Sequence, residues 1–228
     1  MDMKVVRDLP LFQSMQDGNF NALAGAGYLQ RFPQGVVLAT EGERPDFLHV
    51  MVKGWVEFYS ASRGRETTLS FLKPSGAFIV AAAVLDRLYL KSARTLEPSS
   101  VLLIPAPAVR DVLSKDAAFA HAVVIELAMR YRDVVKDLKN QRLRTSLERL
   151  ANWVLAHSVE CGSTSFRMPV EKKALAHMLG MRPEHLSRSF SELSKLGISV
   201  RGSLVEISDI AALREFASPD PLIDDPAT

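Results

Sequence analysis

EKKALAHMLGMRPEHLSRSFSELSKLGISVRGSLVEI, residues 171–207, decides how the rest of the chain is read. EKKALAHML (171–179) is a short helix stopped by Gly180. PEHLSRSFSELSKL opens on Pro183, a first-turn position where the missing N–H costs nothing, and ends at Gly197. Two short helices joined by a turn of three or four residues containing Gly form a helix-turn-helix. ISVRGSLVEI then reads as a two-stranded hairpin with Arg201-Gly202 or Gly202-Ser203 at its tip, which adds a wing. On the second helix Glu184, Ser187 and Arg188 stand at offsets 0, 3 and 4 and share one face near the N-terminus, the end that enters a major groove. An Arg fork matches guanine O6/N7, a carboxylate accepts from cytosine N4, and a serine hydroxyl touches an adjacent edge. The competing reading, an exposed i,i+4 ion pair between Glu184 and Arg188, is worth only about 0.3–0.5 kcal/mol. The turn before and the wing after favour base reading. Arg182, His185, Lys195 and Arg201 are the candidates for backbone contacts, which position without specifying sequence.

Upstream of this motif, SLERLANWVLAHSV has the apolar spacing of an amphipathic helix, with Thr145 or Ser146 as its cap. Further back, Ala117, Ala120, Val124, Leu127, Tyr131, Val134 and Leu138 are spaced 3, 4, 3, 4, 3, 4, a heptad seam that predicts a homodimer through a partner helix. Phe119, Val123 and Met129 beside the seam predict a second contact with the chain's own N-terminal module, and Asn140 and Gln141 mark the expected hinge. From about Phe32 to Ile104 the period is that of strands: VVLA, FLHVMV, WVEFYS, ETTLSFL, AFIVAAAV, KSARTL and SVLLI, with glycines at the breaks. Residues 11–29 read as one or two short helices, with Asp17 capping the second. Asp209 caps a last helix through Phe216.

The expected fold is therefore α+β. It has an N-terminal antiparallel β-roll as sensor (1–115), a dimerisation helix and hinge (116–143), a C-terminal winged helix-turn-helix (144–218) and a disordered Pro- and Asp-rich tail (219–228).

Composition narrows the function classes. With 28 Lys+Arg against 26 Asp+Glu in 228 residues the formal net charge is +2, too small for a mass binder of nucleic acid, so any contact with double-stranded DNA must be local. A single cysteine, Cys161, excludes a disulfide framework and a four-cysteine cluster and fits a reducing compartment. The nine-residue apolar run Ala77 to Leu85 is too short to span a bilayer, and the N-terminus lacks a signal-peptide core, so the expected location is cytoplasmic with no membrane partner. There is no HExxH, G-x-S-x-G or Walker loop, so no enzyme is expected.

The order β module, heptad helix, winged helix-turn-helix, with LAHMLGMRPEHLSRSFSELSKLGIS in the last part, resembles the cyclic-AMP receptor protein/FNR family of bacterial transcription regulators. The E-x-x-S-R of the reading helix is the FNR-type form, and Pro183 stands where the cyclic-AMP receptor has Arg. The resemblance implies a TTGA-type inverted repeat, activation through RNA polymerase, and a cyclic-nucleotide-binding-like sensor. The family's cassette, G-[ED]-F-x-G-E-x-x-x followed by R-[ST]-A, corresponds to GAFIVAAAVLDRLYLKSA. That alignment puts Ala81 at the ribose-binding Glu and Lys91, Ser92 and Ala93 at Arg-Ser-Ala. Leaving ribose hydroxyls unpaired costs about 1–3 kcal/mol each, which disfavours cyclic AMP. An effector pocket of Phe78, Ile79, Ala81, Val84, Lys91 and Ser92 is expected to take another signal. Haem is a candidate cofactor, as in nitric-oxide-responsive relatives, with His49, Met51 and His121 as candidate axial ligands. An iron–sulfur cluster is disfavoured. The alternative function is a ligand-binding regulatory module that acts on a partner protein rather than on DNA.

Overall fold

The computed structural model describes residues 3–72, 76–226 and 228, with the side chain of Met3 left out. The chain divides into two compact units, Met1–Arg130 and Tyr131–Thr228.

The first unit opens with α1 (Met3–Arg7) and α2 (Asp17–Ala26) and continues through β1 (Tyr28–Phe32), β2 (Val37–Ala39), β3 (Phe47–Lys53), β4 (Val56–Ser62), β5 (Arg65–Leu72) and β6 (Gly76–Phe78). After α3 (Val80–Leu85) come β7 (Ser92–Thr95), β8 (Ser99–Pro105), α4 (Ala106–Lys115) and α5 (Ala117–Leu143), the last running into the second unit. The strands form two antiparallel sheets, β1-β8-β3-β6 and β2-β7-β4-β5. The inner strands β3 and β8 of the first sheet are buried on both faces: Leu48, Val50, Leu102 and Ile104 pack with Phe12, Leu23, Val109 and Phe119, while Met51 and Val101, with Phe78 of β6, join Val56, Phe58 and Ala93 of the other sheet. Two buried faces explain why FLHVMV reads as an almost unbroken apolar run rather than an alternating one. Each such side chain contributes about 1.5–3 kcal/mol. Between β3 and β4, Gly54 has φ 99°, and a Cβ there would lie 2.8 Å from Ser99 Cα, so only glycine makes this turn.

Several expectations are corrected here. AFIVAAAV is not one strand: the pairing ends at Phe78, Ile79 takes a left-handed conformation (φ 60°), and Val80–Leu85 become α3. An alanine-rich run has high helix propensity, and the turn at Ile79 frees it from the sheet. Tyr28 and Leu29, taken as the end of the helical region 11–29, instead open β1 against β8. Asp17 does not cap α2 but is its first residue, and its Oδ1 accepts from Arg7 at 2.9 Å. The buried cap belongs to α5, where Asp116 accepts from the backbone N–H of Phe119 and Gln16 and from Asn19 Nδ2 at 2.9–3.0 Å. Burial of this carboxyl raises its pKa, and these donors outweigh that effect and hold it below the usual carboxylate range. Of the residues beside the seam, Phe119 and Val123 are buried as expected, but Met129 is exposed.

In the second unit, α6 (Ser146–Cys161) starts with a reciprocal capping box between Thr145 and Glu148. It is followed by β9 (Ser165–Arg167), α7 (Lys172–Met178), α8 (Pro183–Leu193), β10 (Ile198–Arg201), β11 (Leu204–Ile207), α9 (Ile210–Ala217), capped by Asp209, and α10 (Pro221–Asp224). The wing is a three-stranded sheet, β10-β11-β9, rather than a bare hairpin. Asn140 and Gln141 are not the hinge: α5 runs unbroken to Leu143, and the chain turns at Arg144 and Thr145.

The tail expected to be disordered is ordered through α10. Arg144 meets both oxygens of Asp224 at 2.7 and 2.5 Å, with its side chain only 8% exposed. Lys139 and Lys136 donate to the carbonyls of Leu222 and Asp225, and Arg132 to that of Thr228. Arg132, Lys136 and Lys139 fall at i, i+4 and i+7, so the tail runs antiparallel along one face of α5, away from the Tyr131, Val134 and Leu138 seam. Composition signalled disorder because acidic, proline-rich segments lack apolar surface. The cations that hold this one lie some eighty to ninety-five residues away in sequence.

Candidate nucleic-acid interface

The second unit buries one face of α8 and leaves the other bare. Leu186, Ser189, Phe190 and Leu193 are buried with Leu150, Leu175, Ala176 and Leu179, whereas Glu184, His185, Ser187 and Arg188 are exposed. The turn that presents α8 is fixed from behind. Gly180 has φ 66°, and a Cβ there would lie 2.5 Å from Gln141 Oε1. Arg149, 8% exposed, donates to Leu179 O at 2.8 Å and to Arg144 O at 2.7 Å, tying the helix-turn-helix turn to the hinge. Spacing within 171–197 could not have revealed Arg149, because its partners are backbone carbonyls from elsewhere in the chain.

Among the described residues Glu184 and Arg188 make no hydrogen bond or ion pair, with each other or with anything else, so the i,i+4 ion pair does not form. Ser187 Oγ donates back to Pro183 O at 3.3 Å, which leaves its lone pairs outward. A carboxylate and a guanidinium held one turn apart on an exposed helix face, uncommitted, present an acceptor and a fork-shaped donor to whatever enters. Arg182 precedes α8 as its N-cap residue and Lys195 follows it, both exposed. Arg201 ends β10, and Gly202 (φ 62°) with Ser203 forms the wing tip, which resolves the hairpin register. Arg167 on β9, whose Nη1 reaches Ser203 Oγ at 3.4 Å, adds a cation beside that tip that a two-stranded reading missed.

The six expected effector-pocket residues have unequal surroundings. Phe78 belongs to the core between the sheets and Ile79 packs against it, Val84 packs against the helix-side core, and Ala81 is exposed. Ser92 Oγ is used by the fold, accepting from Glu41 N at 3.0 Å. Lys91 sits with Nζ 3.7 Å from the centre of the Phe58 ring, and burial, with a smaller push from Arg130, lowers its pKa to about 8. Arg130, from α5, lies beside the start of β6, 3.5 Å from where a Cβ on Gly76 would be. It brings a second cation toward Lys91 that no spacing within the cassette could show. Arg94, one residue past the cassette, is committed to Glu57 at 2.7 Å and Glu66 at 2.8 Å.

The haem candidates fare unequally. His49 has a donor set that suits a metal: burial pushes its pKa down to about 4 against the opposing pull of the Leu38 and Phe47 carbonyls, so it is neutral, and its Nδ1 has no partner. The room does not suit a porphyrin. His49 is 3% exposed, with its ring 5.0 Å from Phe78 (3%), and Met51, Ala93 and Val101 close the same core at 0%. His121 is exposed on α5. The residues present do not fit the group. Among the described residues no His/Cys/Asp/Glu cluster could hold a metal ion, and no helix is long and apolar enough to cross a membrane.

Comparison with known proteins matches both halves. A cyclic nucleotide-binding domain model covers residues 29–116 and a Crp-like helix-turn-helix domain model covers 148–216. The anaerobic regulatory protein of Pasteurella multocida (strain Pm70) is 25% identical over 188 residues, 79% of this chain and 68% of that protein. A regulatory protein of Silicibacter pomeroyi DSS-3, named for cAMP binding, is 27% identical with a TM-score of 0.60, over 95% of this chain and 98% of that one. FixK2 of Bradyrhizobium japonicum shares the fold at a TM-score of 0.70 and 18% identity, over 83% of this chain and 96% of its own. With a nucleotide-binding-type β-roll followed by a Crp-like helix-turn-helix, the two models together matching more than two thirds of its length, the chain belongs to the cyclic-AMP receptor protein/FNR family of DNA-binding transcription regulators.

Proposed function

We propose that the protein is a homodimeric transcription activator that reads a TTGA-type inverted repeat in the cytoplasm, one half-site per protomer, and works by binding rather than catalysis. The observation that carries this reading is the uncommitted pair Glu184 and Arg188 on the bare face of α8, with Ser187 between them. In it, Arg188 and Glu184 read base edges, Ser187 supports them, and Arg182, His185, Lys195 and Arg201 meet phosphates. Homodimerisation is supported by exposed apolar seam positions: Val124 is 61% exposed, Tyr131 71%, Val134 63% and Leu138 55%. Ala120 and Leu127 are only partly buried, Leu127 against its own core. Two such helices side by side cover that stripe and set the reading helices about one DNA turn, roughly 34 Å, apart.

The signal enters the β-roll and is not cyclic AMP. The Ala81 position lacks a ribose acceptor, and the Lys91 ammonium with Arg130 nearby favours a small anion. Haem remains unsupported by the packing around His49. Activation runs through contact with RNA polymerase.

The test is fluorescence anisotropy of the full chain on a TTGA inverted repeat and on scrambled DNA across a salt series. The expected result is sequence-selective binding with a steep salt slope, and Arg188→Ala losing about 1–3 kcal/mol with relaxed selectivity at one position. Wild-type affinity in Arg188→Ala would overturn the reading helix assignment. Salt-insensitive binding would move the function to a partner protein.

A further inference from the structure

Within the second unit a cavity of about 640 Å³ opens between α6, α9 and the C-terminal tail. Leu155, Ala156 and Val159 of α6 line one side, and Pro219, Pro221 and Pro226 of the tail line another. Apart from Leu155, which joins the core beneath α8, none of these residues belongs to the reading helix, the wing or the dimer seam. Asn152, 6% exposed, also lines the cavity. Its Nδ2 donates to Glu148 O at 3.0 Å and to Ala217 O at 2.7 Å, and because both partners are acceptors the orientation of the amide is fixed. Its Oδ1 accepts nothing among the described residues. A buried amide oxygen without a donor costs free energy that an entering hydroxyl or N–H recovers. The charged lining is unfriendly to anions: three carboxylates, Glu160, Asp224 and Asp225, line it beside one cation, Arg214, with Glu160 3.3 Å from His157 and Asp224 held by Arg144.

We propose that this cavity is a binding site for an uncharged, largely apolar small molecule carrying one hydrogen-bond donor, which it offers to Asn152 Oδ1. The body of the molecule lies on Leu155, Ala156 and Val159 under the proline-rich tail. Occupancy holds the tail against α6, and through Arg144 and Asp224 it bears on the hinge between α5 and α6. This is a second input, in a different unit from the β-roll effector, and it does not depend on which DNA sequence the protein reads.

The experiment is a fluorescence titration of the full chain with two probes that share an N-aryl naphthylamine skeleton: N-phenyl-1-naphthylamine, uncharged with one N–H, and 8-anilinonaphthalene-1-sulfonate, its anionic counterpart. The expected result is saturable binding of the uncharged probe, one per chain, at least roughly tenfold tighter than the sulfonate. Ala156→Phe and Val159→Phe, at exposed helix positions, fill the cavity and weaken the uncharged probe by at least about tenfold with the melting temperature unchanged. Asn152→Leu, which removes the acceptor, weakens it similarly. Because that variant also loses two structural hydrogen bonds, the two phenylalanine variants carry the decision. Equal or tighter binding of the sulfonate overturns the assigned ligand class. Unchanged binding in both phenylalanine variants, or no saturation, overturns the site.

Discussion

Within the second unit, α8 and the hinge treat charge in opposite ways. Glu184 and Arg188 sit at ideal ion-pair spacing, exposed, and do not pair. Arg144, 8% exposed, is engaged through both terminal nitrogens by Asp224 and Asn140, from opposite directions along the chain. Water decides the difference. On the exposed face solvation of each charge competes with a bond worth a few tenths of a kcal/mol, so the two groups stay available to a partner. At the hinge a guanidinium already removed from water cannot be left alone, so the fold brings it a carboxylate from the far end of the chain. Charge left uncommitted in water stays open to a partner, and charge taken out of water is spent on the fold.

The comparison breaks most visibly at Arg144. Arg144→Met leaves Asp224 facing an apolar stub and detaches α10, and the expected loss is about 3 kcal/mol in urea unfolding. A loss under about 0.5 kcal/mol would mean that the tail contributes nothing to stability. In the β-roll, His49 supplies a third case, a buried polar group with no charged partner. Its pKa in the fold, about 4, lies below the ordinary 6.5, so the unfolded chain binds the extra proton between those values. Stability is therefore complete above about pH 6.5 and falls as pH drops toward about 4, by about 3 kcal/mol in all, a loss that His49→Gln should abolish. A pH profile unchanged by that substitution would show that His49 is not the titrating group. Asp224→Asn keeps the shape and one acceptor while removing the charge, and should cost about 1–2 kcal/mol, less than Arg144→Met. Glu184→Gln and Arg188→Gln should change stability by less than about 0.5 kcal/mol while DNA affinity falls. A clear stability loss there would mean the charges serve the fold after all. The smallest expected signal is optical: protein purified in haem-replete medium should show no Soret band, and a stoichiometric band would overturn the packing argument at His49.

The parts of the molecule that were legible in the sequence are those whose stabilising contacts are local or periodic. Pro183 opens α8 and Gly197 closes the 3-10 turn that follows it (Ser194–Leu196), Thr145 is one of the two caps offered for α6, and the heptad from Ala117 predicts α5, because caps and amphipathic faces are written within a few residues of the helix they serve. The face shared by Glu184, Ser187 and Arg188 was readable for the same reason.

Three features were not readable. The split of AFIVAAAV into β6 and α3 depends on Ile79 taking a positive φ, which nothing in an unbroken apolar run announces. The order of the tail depends on Arg132, Lys136, Lys139 and Arg144, far upstream. The unequal surroundings of the expected effector residues depend on which of two cores each one meets.

Sequence alone thus determined the helices α5 to α8, the order of the strand-rich and helical halves, and the face of α8 that Glu184, Ser187 and Arg188 share, since periodicity and end signals act over one or two turns. Tertiary structure alone decided which charges are spent and which are free, where Arg130 stands relative to Lys91, and that the tail closes a cavity over Asn152. Those outcomes turn on desolvation and on partners tens of residues apart, and neither is a property of a local stretch of chain.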